Sequence, residues 1–135
     1  MRVLVFGTFD NLHPGHKFLL NEAQQCGELW VVIGLDETVK RVKGFYPVQN
    51  QEERKQAVVE AFPNVHVLLG DSEDYFQPIR KIKPGLILLG YDQELPPGIT
   101  SDHFPCTVER LRAYKPELHK SSRNRRQIIQ NKLTK

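Results

Sequence analysis

Two histidines three residues apart, His13 and His16, stand in the segment Gly7-Thr8-Phe9-Asp10-Asn11-Leu12-His13-Pro14-Gly15-His16, which follows the first apolar run of the chain. On a first helical turn that spacing projects both imidazoles to one side, where they face the same ligand atoms. Pro14 suits such a start because no amide donor is needed there, and the free amides and dipole of a helix start attract anions. Phosphate chemistry follows. As a phosphoryl group is transferred, charge builds on it and on the leaving pyrophosphate, and donors fixed at those positions lower the barrier more than they tighten the ground state. Imidazoles supply such donors in either tautomer, and more strongly when protonated. Gly7 would let the backbone approach the ligand without a side chain. A metal pair would need a third ligand and gives Pro14 and Gly15 no purpose. The segment fits neither the P-loop G-x-x-x-x-G-K-[ST] nor the dinucleotide fingerprint G-x-G-x-x-G.

These residues must be held by the elements around them. Val3 to Phe6 reads as a strand ending at Gly7, and a helix then runs from Pro14 through Phe18, Leu19, Leu20 and Ala23 to Cys26, stopped by Gly27. Leu29 to Gly34 is a continuous apolar run of the kind buried on both faces of a parallel sheet. The alternation repeats as helix Gln51 to Ala61, strand Val65 to Leu69, helix Tyr75 to Ile82 and strand Leu86 to Leu89. A loop is expected over Glu94 to Pro105, a short strand near Thr107 to Leu111 and a last helix over Ser121 to Leu133. The pattern predicts an α/β, Rossmann-like single domain over 1–135: an open, mostly parallel sheet with helices on both faces. In such sheets ligands sit beyond the carboxyl ends of the strands, which is where the histidine loop falls.

The composition allows this. With 39% hydrophobic and 26% charged residues, the chain of 135 residues is that of an ordinary globular protein. No apolar run approaches the roughly 18 residues of a membrane span, and Met1-Arg2 leads straight into a strand without a signal-peptide pattern, so a cytoplasmic protein with no membrane contact is expected. Cys26 and Cys106 are too few for a disulfide framework and are expected as thiols. Basic residues gather after Arg112 (Lys115, Lys120, Arg123, Arg125, Arg126, Lys132 and Lys135), so an anion is expected at that end.

GTFDNLHPGH resembles the G-T-F-D-x-x-H-x-G-H signature of the cytidylyltransferase-like nucleotidyltransferases. Asp36-Glu37-Thr38-Val39-Lys40-Arg41-Val42-Lys43-Gly44, followed by Pro47 and Glu53-Arg54, is similar to that family's lysine loop and arginine-bearing helix. Leu89-Gly90-Tyr91-Asp92-Gln93 is similar to its second nucleotide-binding segment, and Lys120-Ser121-Ser122-Arg123 to its C-terminal serine pair. DETVKRVKG with LGYDQ is most similar to archaeal-type FAD synthases, then to glycerol-3-phosphate cytidylyltransferases. The resemblance implies that His13, His16, Lys40 and Lys43 act on the transferring phosphates. It implies that Gly7, Thr8, Phe9, Gly15, Gly90, Tyr91, Asp92, Lys120, Ser121 and Ser122 bind the nucleotide, with Ser121 and Ser122 on its terminal phosphates. Asp10 would order the loop or, with Arg54, meet the acceptor.

The implied reaction is transfer of a nucleoside monophosphate from a triphosphate to a phosphorylated acceptor, ATP and FMN giving FAD and pyrophosphate, with Mg2+ carried by the triphosphate and no metal ligated by the protein alone. The alternative acceptor is glycerol 3-phosphate, with CTP. A nucleic-acid-binding module using the basic tail is the non-enzymatic alternative, but the tail lacks interleaved aromatics, so no nucleic acid is expected. The family often dimerises, which puts a homodimer among the expected assemblies. A flavin acceptor would need an apolar wall, for which Phe9, Phe45, Tyr46, Tyr91 and Phe104 are candidates. The short, proline-rich Glu94 to Cys106 stretch departs from the family where relatives often place a helix.

Overall fold

The computed structural model describes residues 1–112. Its elements in chain order are β1 (Arg2–Gly7), α1 (Pro14–Cys26), β2 (Glu28–Ile33), α2 (Asp36–Lys43), α3 (Gln51–Ala61), β3 (His66–Leu69), α4 (Gln77–Ile82), β4 (Leu86–Leu89), a single 3-10 turn at Ser101–His103, and β5 (Thr107–Arg110). The five strands form one sheet in the order β3-β2-β1-β4-β5, with every neighbouring pair parallel. The expected helix Ser121 to Leu133 and the site candidates Lys120, Ser121 and Ser122 lie outside the described residues.

β1 shows why the sheet needs helices on both faces. Side chains alternate along a strand; Val3 and Val5 enter one apolar cluster while Leu4 and Phe6 enter another. The first cluster is closed by Phe18, Leu19, Leu20 and Ala23 of α1 and Val58 of α3, the second by Ile79 and Ile82 of α4 with Phe104. Burying each such side chain contributes about 1.5–3 kcal/mol. Cys26 packs on the first face and Cys106 on the second, which keeps them from pairing with each other. Among the described residues no helix is long and apolar enough to cross a membrane.

The Asp36 to Gly44 stretch, expected as a lysine loop, is the helix α2. Asp36 and Glu37 occupy its first turn and Lys40, Arg41 and Lys43 its last, which complements the helix dipole at both ends. Gly44 ends it in the left-handed region at φ 89°, where its amide donates to the Lys40 carbonyl.

The sheet order reverses between β1 and β4. Chain segments leaving the carboxyl ends of these strands therefore part to opposite sides and leave a crevice between them. The histidine loop leaves β1 and the Gly90-Tyr91-Asp92-Gln93 loop leaves β4, so the topology places both segments at that crevice.

Candidate active site

The histidine loop is shaped by backbone that turns twice into the left-handed region, at Phe9 (φ 54°) and Asn11 (φ 48°). Asn tolerates this well and Phe poorly. At Phe9 the turn folds the ring back beneath Gly7 and into the core, where it is 2% exposed and meets His16 edge to face with ring centres 5.3 Å apart. A Cβ at Gly7 would overlap that ring. Gly7 therefore admits the Phe9 ring, in addition to lining the cavity.

His13 is the N-cap of α1. Its Nδ1 accepts the amides of Gly15 at 3.1 Å and His16 at 3.3 Å, and the His13 amide donates back to His16 Nδ1 at 3.3 Å. The two rings stack with centres 3.6 Å apart. Two expectations change. The first amides of the helix are engaged by His13 itself, so an anion here meets imidazoles rather than those amides. With each Nδ1 accepting an amide proton, each neutral ring carries its proton on Nε2, which fixes the tautomer and leaves Nε2–H as the donor for the cavity. Charging His16 would set an N–H against the His13 amide, so His16 donates as a neutral imidazole.

Burial pushes His16 from 6.5 down to about 4, helped by the charges of His13 and Lys43 and opposed by Asp10 and Asp92. The unfolded chain then takes up a proton that the folded protein refuses, and stability falls as pH drops from about 6.5 towards about 4. Above that window this histidine contributes no pH dependence, and below it the loss is complete. The His16→Asn variant, which keeps an acceptor for the His13 amide, should show a flatter dependence of melting temperature on pH between 7 and 4. Equal slopes for variant and parent would contradict the assignment.

Asp10 closes the loop from the other side. Its carboxylate accepts the amides of Val48 at 2.8 Å and Gln49 at 2.9 Å, and Gln49 Oε1 accepts the Asn11 amide at 2.9 Å. Burial works to raise the Asp10 pKa, but these two amides, with Arg54 and Lys43 nearby, hold it below the ordinary value. Of the two uses expected for Asp10, loop ordering is the one its contacts display.

A cavity of about 1180 Å3 opens over the carboxyl ends of the strands. It is lined by Gly7, Thr8, Phe9, Asp10, His13, Gly15 and His16 at the centre. Lys43, Val42, Phe45 and Pro47 stand on the α2 side, and Gly90, Tyr91 and Asp92 on the β4 side. Lys40 and Arg54 are not among its walls. Lys40 Nζ donates to the Gly44 carbonyl at 2.9 Å and lies 5.7 Å from the centre of the Tyr46 ring, on the outside of α2. Arg54 is fully buried, with Nε on the Gln49 carbonyl (3.1 Å), Nη1 on the Thr8 carbonyl (2.8 Å) and Nη2 on Asp36 (2.6 Å). The sequence placed a guanidinium on the acceptor; the structure places it under the loop, with every nitrogen engaged by protein. Of the aromatic candidates, Phe45 and Tyr91 line the mouth and are exposed. Tyr46 donates to Glu37, and Phe104 is buried against Tyr75 and Phe76.

The Cytidylyltransferase-like family model matches residues 4–127. The chain belongs to the cytidylyltransferase-like family. It is 43% identical over 130 residues to the FAD synthase of Methanospirillum hungatei JF-1, covering 92% of this chain and 82% of the relative. To the FAD synthase of Methanohalophilus mahii it is 34% identical over 140 residues, covering 98% and 97%. Against the FAD synthase of Methanosphaerula palustris it is 41% identical over 102 residues, and there the match spans 65% of the relative's length. The fold is similar to that of a lipopolysaccharide core biosynthesis protein from Thermoplasma volcanium GSS1, with TM-score 0.74 and 30% identity over 85% of this chain and 98% of the other.

Within this family framework Arg112, Arg110 and the side chain of Gln93 take parts that the sequence does not assign to them. Arg112 lines the cavity just past the end of β5. A cation beyond the carboxyl end of a parallel strand is placed where ligands of open sheets bind. Gln93 and Arg110 hold the loop after β4. No spacing in the sequence announces them, because their partners are backbone atoms brought close only by the sheet.

Proposed function

We propose that this chain is an FMN adenylyltransferase, joining ATP and FMN to give FAD and pyrophosphate in the cytoplasm. One observation carries the reading: His13 and His16, with Nε2–H as their available donors, line a cavity that Gly90, Tyr91 and Asp92 also line on the β4 side and Lys43, Val42, Phe45 and Pro47 on the α2 side. At about 1180 Å3 the cavity exceeds the ~300–1,000 Å3 usual for one small ligand, which suits two substrates held together. The FAD synthase relatives support the choice of substrates.

In this reading a phosphate oxygen of FMN attacks the α-phosphorus of ATP, the bond from that phosphorus to the bridging oxygen breaks, and pyrophosphate leaves. A phosphate monoester is already largely ionised at neutral pH, its second pKa being about 6, so no general base is required. Catalysis rests on position and electrostatics. His13 and His16 donate to the oxygens that gain charge. Lys43 and Arg112 supply cations from opposite sides, and the loop after β4 holds the adenosine. Val42, Phe45 and Pro47 offer the flavin ring an apolar wall.

Among the described residues no group of three His, Cys, Asp or Glu side chains is placed to hold a metal ion. Asp10 is committed to amides, which leaves Asp92 as the carboxylate near His16. This set fits Mg2+ carried on the triphosphate with one carboxylate beside it. The ion, when bound, neutralises charge on the phosphates.

FMN fluorescence should be quenched when the protein is added, and ATP with Mg2+ should then yield FAD and pyrophosphate. Absence of FMN binding, with pyrophosphate released from CTP and glycerol 3-phosphate instead, would move the assignment to cytidylyl transfer.

A further inference from the structure

The loop that leaves β4 is held from β5. Arg110 is paired with Leu89 across these strands, so its side chain emerges beside the point where β4 ends. Its Nη1 lies 2.6 Å from the carbonyl oxygen of Gln93, 2.9 Å from that of Gly90 and 3.3 Å from that of Tyr91. Three carbonyls of one turn converge on one nitrogen. These are strand-end acceptors past the β4 to β5 ladder, and a cation is what lets them point together without mutual repulsion.

Gln93 carries the restraint across the crevice. β1 and β4 pair at Val3 with Leu86 and at Leu4 with Ile87. Two residues further along β1, the gap to the other loop is spanned by a side chain: Gln93 Nε2 donates to the Phe6 carbonyl at 2.8 Å while its Oε1 accepts the Gly90 amide at 3.0 Å. Phe6 immediately precedes Gly7, the start of the histidine loop. A chain of contacts thus runs from Arg110 through the Gly90 to Gln93 turn to the base of the loop that carries His13 and His16.

We propose that Arg110 is a positioning residue for the nucleotide: it sets the turn bearing Tyr91 and Asp92, and Gln93 keeps that turn in register with the two histidines. Arg110 is not among the walls of the cavity, so its loss acts through the turn it holds. This rests on the reading of the cavity as a nucleotide site.

The test is steady-state kinetics of the full chain with ATP and FMN varied separately, alongside melting temperatures. Arg110→Met keeps the apolar stem and removes the donors. It should raise KM for ATP roughly tenfold or more while leaving KM for FMN within about twofold. Arg110→Lys, whose ammonium offers three donors to three carbonyls, should recover most of the loss. Gln93→Met, which cuts the tie to Phe6 but leaves Arg110 in place, should raise KM for ATP and also lower kcat, and it tests the same chain of contacts if Arg110→Met does not fold. An unchanged KM for ATP in a folded Arg110→Met protein would overturn the proposal. So would KM values for ATP and FMN that rise together, failure of lysine to recover, or a Gln93→Met enzyme with parental kinetics. A parent protein that neither binds nor consumes ATP would overturn the nucleotide reading as well, whereas an active parent with an indifferent Arg110 removes this proposal alone.

Discussion

The His13→Asn variant should fold with close to the parent's stability and turn over about 10² to 10³ times more slowly, the usual cost of one lost donor on developing charge. The two halves of the imidazole have separate tasks. Nδ1 caps α1 by accepting the amides of Gly15 and His16, and an asparagine oxygen does the same, Asn being among the best N-caps. What asparagine cannot do is reach the cavity with a donor where Nε2–H stands. His13→Gln reverses the exchange, since its longer amide can supply the far donor but caps poorly. It should retain more activity than His13→Asn while losing about 1 kcal/mol of stability. Rate measured against melting temperature for the two variants separates catalysis from capping. A fully active His13→Asn enzyme, or one whose only change is a higher KM for ATP, would remove this histidine from the stabilisation of transferring charge.

This division of labour inside one side chain marks the boundary of what the sequence could tell. The residue types and their register, from Gly7 to His16, indicate phosphate transfer because a strand, a glycine and an HxGH turn leave little else for two imidazoles to do. The sheet was equally legible: Val3 to Phe6 and Leu86 to Leu89 are apolar without alternation, which only a strand covered on both faces explains. What spacing could not show is which atom of a histidine faces the ligand, since that depends on which nitrogen the backbone claims. It assigned phosphate to helix amides that His13 occupies. The α2 helix, by contrast, carries its signals in the sequence. Asp36-Glu37 at one end, Lys40, Arg41 and Lys43 at the other, and Gly44 beyond, make a charge-matched helix with a stop. Reading the segment by resemblance as a loop hid that the helix carries Lys40 to the outside and Lys43 to the cavity.

Arg54→Met should lower the melting temperature by on the order of 10 °C and slow the reaction beyond that. Of the residues expected at the acceptor, Arg54 has the contacts least suited to it: it is fully buried, and its three nitrogens reach a carbonyl of the histidine loop, a carbonyl of the α2 to α3 connection and the first carboxylate of α2. Removing one partner of a buried ion pair costs about 3–5 kcal/mol because the other group keeps its burial and loses its counter-charge. Asp36 is 30% exposed, so water can take up part of its charge, and the low end, about 3 kcal/mol, is expected. For a domain of this size that corresponds to roughly 10 °C. Lysine should rescue little, because its single ammonium cannot meet acceptors that lie in three directions from one planar fork. The effect on rate follows from Thr8. Its carbonyl, freed from Arg54, no longer holds the loop just past β1, and the left-handed turn at Phe9 that seats the His16 ring loses its anchor. Turnover assayed well below the variant's melting temperature should therefore still be depressed, with kcat falling more than either KM rises. Recovery of full kcat under those conditions would confine Arg54 to stability, and a rise confined to KM for FMN would return it to the acceptor.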